Sequence, residues 1–373
     1  MNGKKIKIAH VIYGLKYGGA EKLLIPFTTQ LNKERYEAIV IALYFGGPVE
    51  EELKKSGIPV FTIRRDARFG FFDFLKLMKI LEGEKVSLVH THLLLADFWG
   101  GLSARVLGLP QVSTCHRAYE YPSWLLFYKR MVSYLFPARI IAVSKSTREE
   151  LLRRYPIASH KVVTVYNGIN TSVTVHDKMR TRKELGFSEG DFIIINVARL
   201  DPEKGHLFLI RAIRSLVKDI PSLKALIIGD GSLRETFART IRDKGLESVI
   251  FLMGPRNDVD KFYCIGDLFI LPSLKEGFPL TVLEAMLYGL PVAASAVDGV
   301  KEIVAEGVNG SLFAPSRVDE IKGAIQRAFT DRKKLFAMAE SAQALVREKF
   351  SQTEMMRNLE KIYEQISNGP YTQ

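Results

Sequence analysis

Short apolar runs rich in β-branched residues alternate with longer amphipathic stretches along nearly the whole chain. In the first half, Ile6–Ile12, Ala38–Leu43, Val60–Ile63, Leu88–His90, Gln111–Cys115, Ile140–Val143 and Val162–Tyr166 read as strands. Between them, Glu21–Leu31 and Phe72–Glu82 read as helices. Such alternation predicts βαβ units and a parallel sheet. The pattern pauses at Asn170–Lys183, a polar stretch with little periodicity that reads as a linker. It restarts with strands at Phe192–Val197, Lys224–Ile228, Val249–Leu252, Leu268–Leu271, Val292–Ala294 and Ser311–Phe313, with helices at Gly205–Leu216 and Ser232–Lys244. Gln352–Ile366 reads as an amphipathic helix after the second block. The expectation is two doubly wound α/β domains joined near Asn170–Arg182, with a cleft into which the loops after the strands project.

Composition narrows the class. At 373 residues, 47% hydrophobic and 25% charged, the chain is globular and long enough for two cores. No uninterrupted apolar run reaches the roughly 18 residues of a membrane span. The start, MNGKKIKIAHVIY, runs almost directly into a strand pattern and leaves no room for a signal peptide's apolar core. Cys115 and Cys264 lack metal spacing and read as reduced, buried thiols of a cytoplasmic protein. The net charge of +12 is uneven: through Asn170 there are 25 basic and 14 acidic residues (+11), and beyond it 28 and 27 (+1). That asymmetry bears on partners, not on fold.

Three loops carry candidate chemistry. Tyr13–Glu21 contains Gly18 and Gly19 before a helix, where backbone N–H groups can approach an anion; it also suits a plain strand-to-helix turn. Val197–Gly205 holds Arg199 and Lys204, which can converge on one phosphate pair or simply be solvated. The sharpest is Glu276-Gly277-Phe278-Pro279-Leu280 running on to Glu284. It places a carboxylate in a loop, a helix start near Pro279 whose free N–H groups favour an anion, and a second carboxylate one turn inside. Two acceptors flanking a phosphate site suit a ligand with hydroxyls on both sides of a diphosphate.

In order, GGAE (18–21), STCH (113–116), AVSKST (142–147), NGI (167–169), ARLDPEKG (198–205), IIGDGSLRE (227–235), EGFPLTVLEA (276–285) and GLPVAAS (289–295), with Glu302, make the chain resemble the retaining glycosyltransferases of family 4. The resemblance implies the GT-B fold: two Rossmann-like domains facing across a cleft, which closes on its ligands. The acceptor-binding domain would span 1–175 plus the C-terminal helix of 352–373 crossing back to it. The nucleotide-sugar donor domain would span 176–351. It further implies that Gly18 and Gly19 approach the donor phosphate, that Arg199 and Lys204 neutralise the diphosphate, and that Glu284 binds the ribose. Glu276 would hold the transferred sugar, and backbone N–H groups near Phe278 and Leu280 the phosphates, Pro279 having no donor. Gly254, Pro255 and Arg256, with Asn257, would border the base, and His116 would face the donor sugar. A UDP-sugar is the favoured donor, with a GDP-sugar as alternative, and no metal or other cofactor is expected. Two departures stand out: Asn170 replaces an Asp common after Asn-Gly, and Asp298 replaces the first of two glycines common before Glu302.

Other motifs take a plainer reading. Asp258-Val259-Asp260 falls in the base loop and is not read as a metal site. His90-Thr91-His92 is expected to point its rings to opposite faces of a strand, which argues against a shared metal and leaves His92 as a residue that can line the cleft. Gly229-Asp230-Gly231 lacks the rest of a dinucleotide fingerprint. No nucleic-acid module is present. Two rival functions remain, a GT-B nucleotide-sugar epimerase and a non-catalytic nucleotide-sugar binder. The basic first half points to a glycan or lipid-linked acceptor in cell-surface polysaccharide or lipopolysaccharide synthesis. Arg64–Lys85 and Tyr119–Arg139 mix cations with aromatics, as a peripheral contact with an anionic inner membrane face requires, or as core aromatics beside solvated charges would. Nothing in the sequence fixes the oligomeric state.

Overall fold

The computed structural model describes residues 5–16, 18–63, 70–116 and 130–368. The chain forms two compact units, Met1–Gly168 with Gln352–Gln373, and Ile169–Ser351. The division falls at 168/169 and not 175/176. Ile169 bridges Ser351 and donates to the Phe350 carbonyl (2.9 Å), and Arg347 reaches the Thr171 carbonyl (3.2 Å), so this stretch belongs with the second unit.

In the first unit seven parallel strands, β1 (Ile6–Ile12), β2 (Tyr36–Ala42), β3 (Val60–Thr62), β4 (Leu88–His92), β5 (Gln111–Cys115), β6 (Arg139–Ala142) and β7 (Val162–Thr164), lie in the order β3-β2-β1-β4-β5-β6-β7. The apolar residues of the central strands are buried on both faces. Ala9 and Val11 of β1 pack with Phe74 and Leu77 on one side, and Ile12 packs with Leu24 and Leu53 on the other. Two helices, Gly19–Lys22 and Leu24–Thr29, stand where the pattern suggests one. Pro26 has no N–H to donate to the Lys22 carbonyl, so the ladder restarts at Leu23. The helix Gln352–Ser367 buries Met355, Met356, Leu359, Ile362, Tyr363 and Ile366, a helical stripe, and is tied down by Asn32 N to Glu360 Oε1 (2.8 Å) and by an Arg35–Glu364 ion pair.

The second unit has six parallel strands, β8 (Phe192–Val197), β9 (Leu223–Ile228), β10 (Ile250–Gly254), β11 (Leu268–Leu271), β12 (Val292–Ser295) and β13 (Ser311–Phe313), in the order β10-β9-β8-β11-β12-β13. The helix His206–Leu216 turns Leu209, Ile210, Ala212, Ile213 and Leu216 inward, in register with a 3.6-residue period. The supposed linker is a correction. Lys178–Glu184 is a helix, and Arg182 is buried, donating to Asp267 (2.6 Å) and to the carbonyls of Ile265 (2.7 Å), Glu189 (3.0 Å) and Asp191 (3.1 Å). A polar run without apolar periodicity here anchors a helix through one buried guanidinium.

Candidate functional site

In both sheets the strand order reverses once, between β1 and β4 and between β8 and β11. Neighbouring connections diverge at such a point and leave a crevice at the carboxyl ends of the strands. All three candidate loops start from those four strands or their immediate neighbours.

In the second unit, β8 runs into a 3₁₀ turn, Pro202–Lys204, ended by Gly205 in the left-handed conformation (φ 69°). A Cβ there would stand 2.0 Å from the Pro272 carbonyl oxygen, so only glycine lets the loop after β8 lie against the loop after β11. Leu274 N donates to the Glu203 carbonyl (2.8 Å) and ties the two loops together. The result joins residues far apart in sequence: Lys204 Nζ and Ser273 Oγ each donate to Glu276 Oε1 at 2.7 Å. Lys204 and Glu276 are largely buried, and breaking such a pair by removing one partner leaves an uncompensated charge. Arg199 is exposed and paired with Asp201 (2.7 Å) and Glu203 (3.3 Å). Exposed pairs of this kind exchange partners at little cost.

The helix Leu280–Leu287 begins after Pro279, and Phe278 packs its ring edge-on against Phe350 (5.4 Å). The Gly277 carbonyl lies so close to Gly299 that a Cβ on Gly299 would meet it at 2.0 Å. The substitution at Asp298 is therefore tolerated, because Asp298 is exposed and the glycine that packing needs is Gly299. Glu284 lies one turn in, and its Oε2 accepts from Tyr263 Oη at 2.7 Å. Burial and then the Glu284 charge push the Tyr263 hydroxyl well above its usual range, which keeps it a donor. Tyr263 was not singled out from sequence. The available signal was a phenol inside the apolar run Phe262–Ile265, since a buried tyrosine hydroxyl needs a partner.

Gly254 ends β10 at φ 71° and accepts from Gly229 N (2.9 Å). Beyond Pro255, Arg256 grips Asp258 with two bonds of 2.8 Å. That guanidinium holds the Asp258 carboxyl below the usual range. Asp260 instead meets His176 Nε2 (2.7 Å), so the Asp-x-Asp carboxylates face different partners. Arg234 also reaches Gly254, and its Nη1 is buried without a hydrogen bond; sequence reading passed it over. Gly229 and Gly231 are explained by contact, since added Cβ atoms would stand 2.0 Å from the Ala198 oxygen and 2.7 Å from the Leu200 backbone.

In the first unit, Gly18 caps the short helix Gly19–Lys22 with extended backbone, and a Cβ on Gly19 would meet nothing within 4 Å. Packing gives no reason for glycine at 19. Tyr17 of this loop lies outside the described residues. His116 follows β5, half-buried, with Nε2 3.4 Å from His92 Nδ1. The expectation that His90 and His92 diverge is wrong, because residues two apart on a strand share a face. Their ring centroids are 4.3 Å apart, and His10 of β1 joins them, its Nδ1 3.1 Å from His92 Nε2. Among the described residues this is the group whose ligand atoms approach within 4.8 Å, so three nitrogens stand close enough to share a metal ion. His90 already uses both of its nitrogens, on Tyr363 Oη and Thr114 Oγ1, each at 2.6 Å. Burial holds all four rings neutral, pushing His10 down to about 3, His116 to about 4, and His90 and His92 well below the usual value. Leu93, directly after His92, has φ 72° and ψ 156°, a strained backbone for a branched residue.

The two basic–aromatic segments divide. On the helix Phe71–Gly83, Phe74, Leu77 and Leu81 are core, while Phe71 (67%), Phe72 (84%) and Leu75 are exposed beside Lys76 and Lys79. Arg130 and Tyr134 are buried, Arg130 in an ion pair with Asp97, so neither is a surface group. Arg64, Arg65, Arg68, Phe69, Trp124, Phe127, Tyr128 and Lys129 lie outside the described residues. Among the described residues no helix is long and apolar enough to cross a membrane.

Two doubly wound parallel units define a GT-B protein, and comparison with known proteins gives the family. Residues 17–173 match the model described as Glycosyltransferase Family 4, and residues 177–345 match Glycosyl transferases group 1. The chain belongs to this glycosyltransferase family and is a glycosyltransferase. It is 27% identical over 376 aligned positions, 96% of this chain and 97% of the relative, to the Escherichia coli UDP-Gal:alpha-D-GlcNAc-diphosphoundecaprenol alpha-1,3-galactosyltransferase. Anabaena HepE, solved in complex with UDP-glucose, superposes with a TM-score of 0.87 at 24% identity, covering 96% of this chain and 99% of that one. Sucrose-phosphate synthase from Thermosynechococcus elongatus gives 0.80 at 17%, covering 97% and 99%. Both likenesses are of fold.

Proposed function

We propose that this chain is a retaining glycosyltransferase that takes its sugar from a nucleoside diphosphate sugar, with uridine the favoured base, and passes it to a hydroxyl of a glycan or lipid-linked acceptor in cell-surface polysaccharide synthesis. One observation carries the reading: Lys204, Ser273 and Glu276 are drawn together at the β8/β11 reversal, beside a helix start whose first turn leads to Glu284. The named donor and acceptor of the Escherichia coli relative and the UDP-glucose in the HepE complex favour the same class of substrates.

In this reading the bond between the anomeric carbon and the diphosphate oxygen breaks as the acceptor oxygen bonds to the same face of that carbon. The acceptor's proton goes to the departing phosphate. Arg199, Lys204 and the N–H groups at the start of Leu280–Leu287 neutralise the diphosphate, without a metal. Each preorganised donor of this kind is worth about 3 kcal/mol at the transition state. Both side-chain bonds of Glu276 fall on Oε1, so Oε2 is its acceptor for sugar hydroxyls. Glu284 takes the ribose hydroxyls. Gly254, Pro255 and Arg256 border the base, and Gly18, Gly19 and His116 are the first unit's groups for the donor. The exposed Phe71–Phe72 end of its helix is the candidate contact with an anionic leaflet, each nearby Lys adding about 1 kcal/mol.

The test is turnover of UDP-sugars by the wild type, Lys204→Ala and Glu276→Gln. A loss of about 10²–10³ in each variant is expected; unchanged turnover rejects the assignment. Release of an epimerised sugar without an acceptor would identify an epimerase instead, and trapping of a sugar on an enzyme carboxylate would reject same-face attack.

A further inference from the structure

Behind His116 the first unit holds a line of imidazoles that the reaction just described does not use. β1 and β4 are neighbours, with His10 opposite His90 and Ile12 opposite His92. His116 Nε2 lies 3.4 Å from His92 Nδ1, and His92 Nε2 lies 3.1 Å from His10 Nδ1. The His10 and His92 ring centroids are 5.4 Å apart, the separation at which two imidazoles meet nitrogen to nitrogen, end-on and not face to face. The line stops at His10 Nε2, which is buried and has no partner. His90 stands beside it, fully engaged by Tyr363 and Thr114.

A neutral imidazole has one N–H and one lone pair. Three of them in line therefore have two concerted settings. If the hydrogen bonds point inward, His116 donates from Nε2 and the line ends on a buried N–H at His10 with nothing to accept it. If they point outward, His10 donates from Nδ1 to His92, His92 donates from Nδ1 to His116 Nε2, and the line ends on an unused lone pair. Among buried backbone groups an orphaned N–H is rarer than an under-used acceptor, and the same asymmetry between donor and acceptor favours the outward setting here.

We propose that His92 and His10 are positioning residues that fix the proton of His116 on Nδ1, making His116 a neutral hydrogen-bond donor to its ligand. The ligand part of this statement rests on the assignment of His116 to the donor sugar; the proton position does not. Burial, which holds these rings neutral, agrees with it.

The experiment is a long-range proton–nitrogen NMR spectrum of the full chain labelled with ¹⁵N-histidine at neutral pH, with His116 assigned through His116→Gln. The expected spectrum shows His116, His92 and His10 neutral, each protonated on Nδ1. A proton on Nε2 of His116 overturns the proposal whatever the activity. In His92→Phe the His116 proton should redistribute between its nitrogens, and kcat should fall on the order of tenfold or more with donor KM little changed, as a wrong tautomer behind a reacting group does. His92→Gln, which restores an N–H donor, should recover most of that loss; an unmoved His116 spectrum in His92→Phe refutes the mechanism. If that variant fails to fold, the wild-type spectrum still decides. Zinc that removes the free imidazole signals of His10 and His92 stoichiometrically would replace the relay by a metal site. Full transfer activity in His116→Ala, with the wild-type proton on Nδ1, would reject the sugar assignment and leave the imidazole line standing.

Discussion

Acid should loosen the first unit because His10, His90 and His92 are buried there without charge. In the unfolded chain a histidine takes up a proton near 6.5, whereas His10 in the fold resists to about 3. Between those values the unfolded state binds more protons, so stability is complete above about pH 6.5 and drains away as the pH falls towards 3. At about pH 5 His10 alone removes about 2 kcal/mol relative to neutral pH. His90 and His92 are displaced in the same direction, which makes that figure a lower bound for the unit. The assay is urea unfolding followed by tryptophan fluorescence, which reports on this unit because both tryptophans, Trp99 and Trp124, fall within it. Between about pH 7.5 and 5 the wild type should lose at least 2 kcal/mol, and His10→Phe should lose about 2 kcal/mol less than the wild type. A wild-type stability that does not change over that interval, or a variant with the full pH dependence, would show that the buried neutral His10 does not set the acid stability of this unit.

Further tests follow from the packing. Gly205→Ala puts a Cβ 2.0 Å from the Pro272 oxygen at a positive φ and should lower stability by more than about 1 kcal/mol in thermal unfolding. Gly19→Ala meets nothing within 4 Å, so its stability should stay within about 0.5 kcal/mol while nucleotide-sugar KM rises. Tyr263→Phe removes the donor to Glu284 and should raise donor KM about fivefold, roughly 1 kcal/mol, with kcat nearly kept in steady-state kinetics. Phe72→Glu should abolish low-salt co-sedimentation with anionic liposomes; if the wild type does not sediment with them, the membrane contact is rejected.

The strands were legible because each is a short apolar run, the central ones buried on both faces, and all thirteen lie at or within a few residues of where the pattern places them. What the pattern lacks is long-range pairing. The partner of Arg182, Asp267, lies 85 positions away, so a residue that looks like part of a solvated linker is in fact an anchor. Glu276 meets Lys204 across 72 positions only because β8 and β11 are neighbours, and strand order is not written in local periodicity. Pro26 was a readable break that helical spacing alone obscured. The histidine cluster was missed through strand parity. Positions 90 and 92 share a face, and correct parity would have paired their rings, though it could not have supplied His10 from the adjacent strand.

The proposed function places a nucleotide-diphosphate-sugar site in the second unit, built around Lys204, Glu276 and Glu284. Its most direct measurement is thermal unfolding of the full chain with UDP, GDP and UDP-glucose, for the wild type and Lys204→Ala. A ligand at about 100 times its Kd adds about 2.7 kcal/mol, which for a unit of this size is a rise of about 5–11 °C. That rise is expected with a uridine ligand in the wild type, and its loss in Lys204→Ala. No shift with any of the three, or the same shift in both proteins, would contradict it.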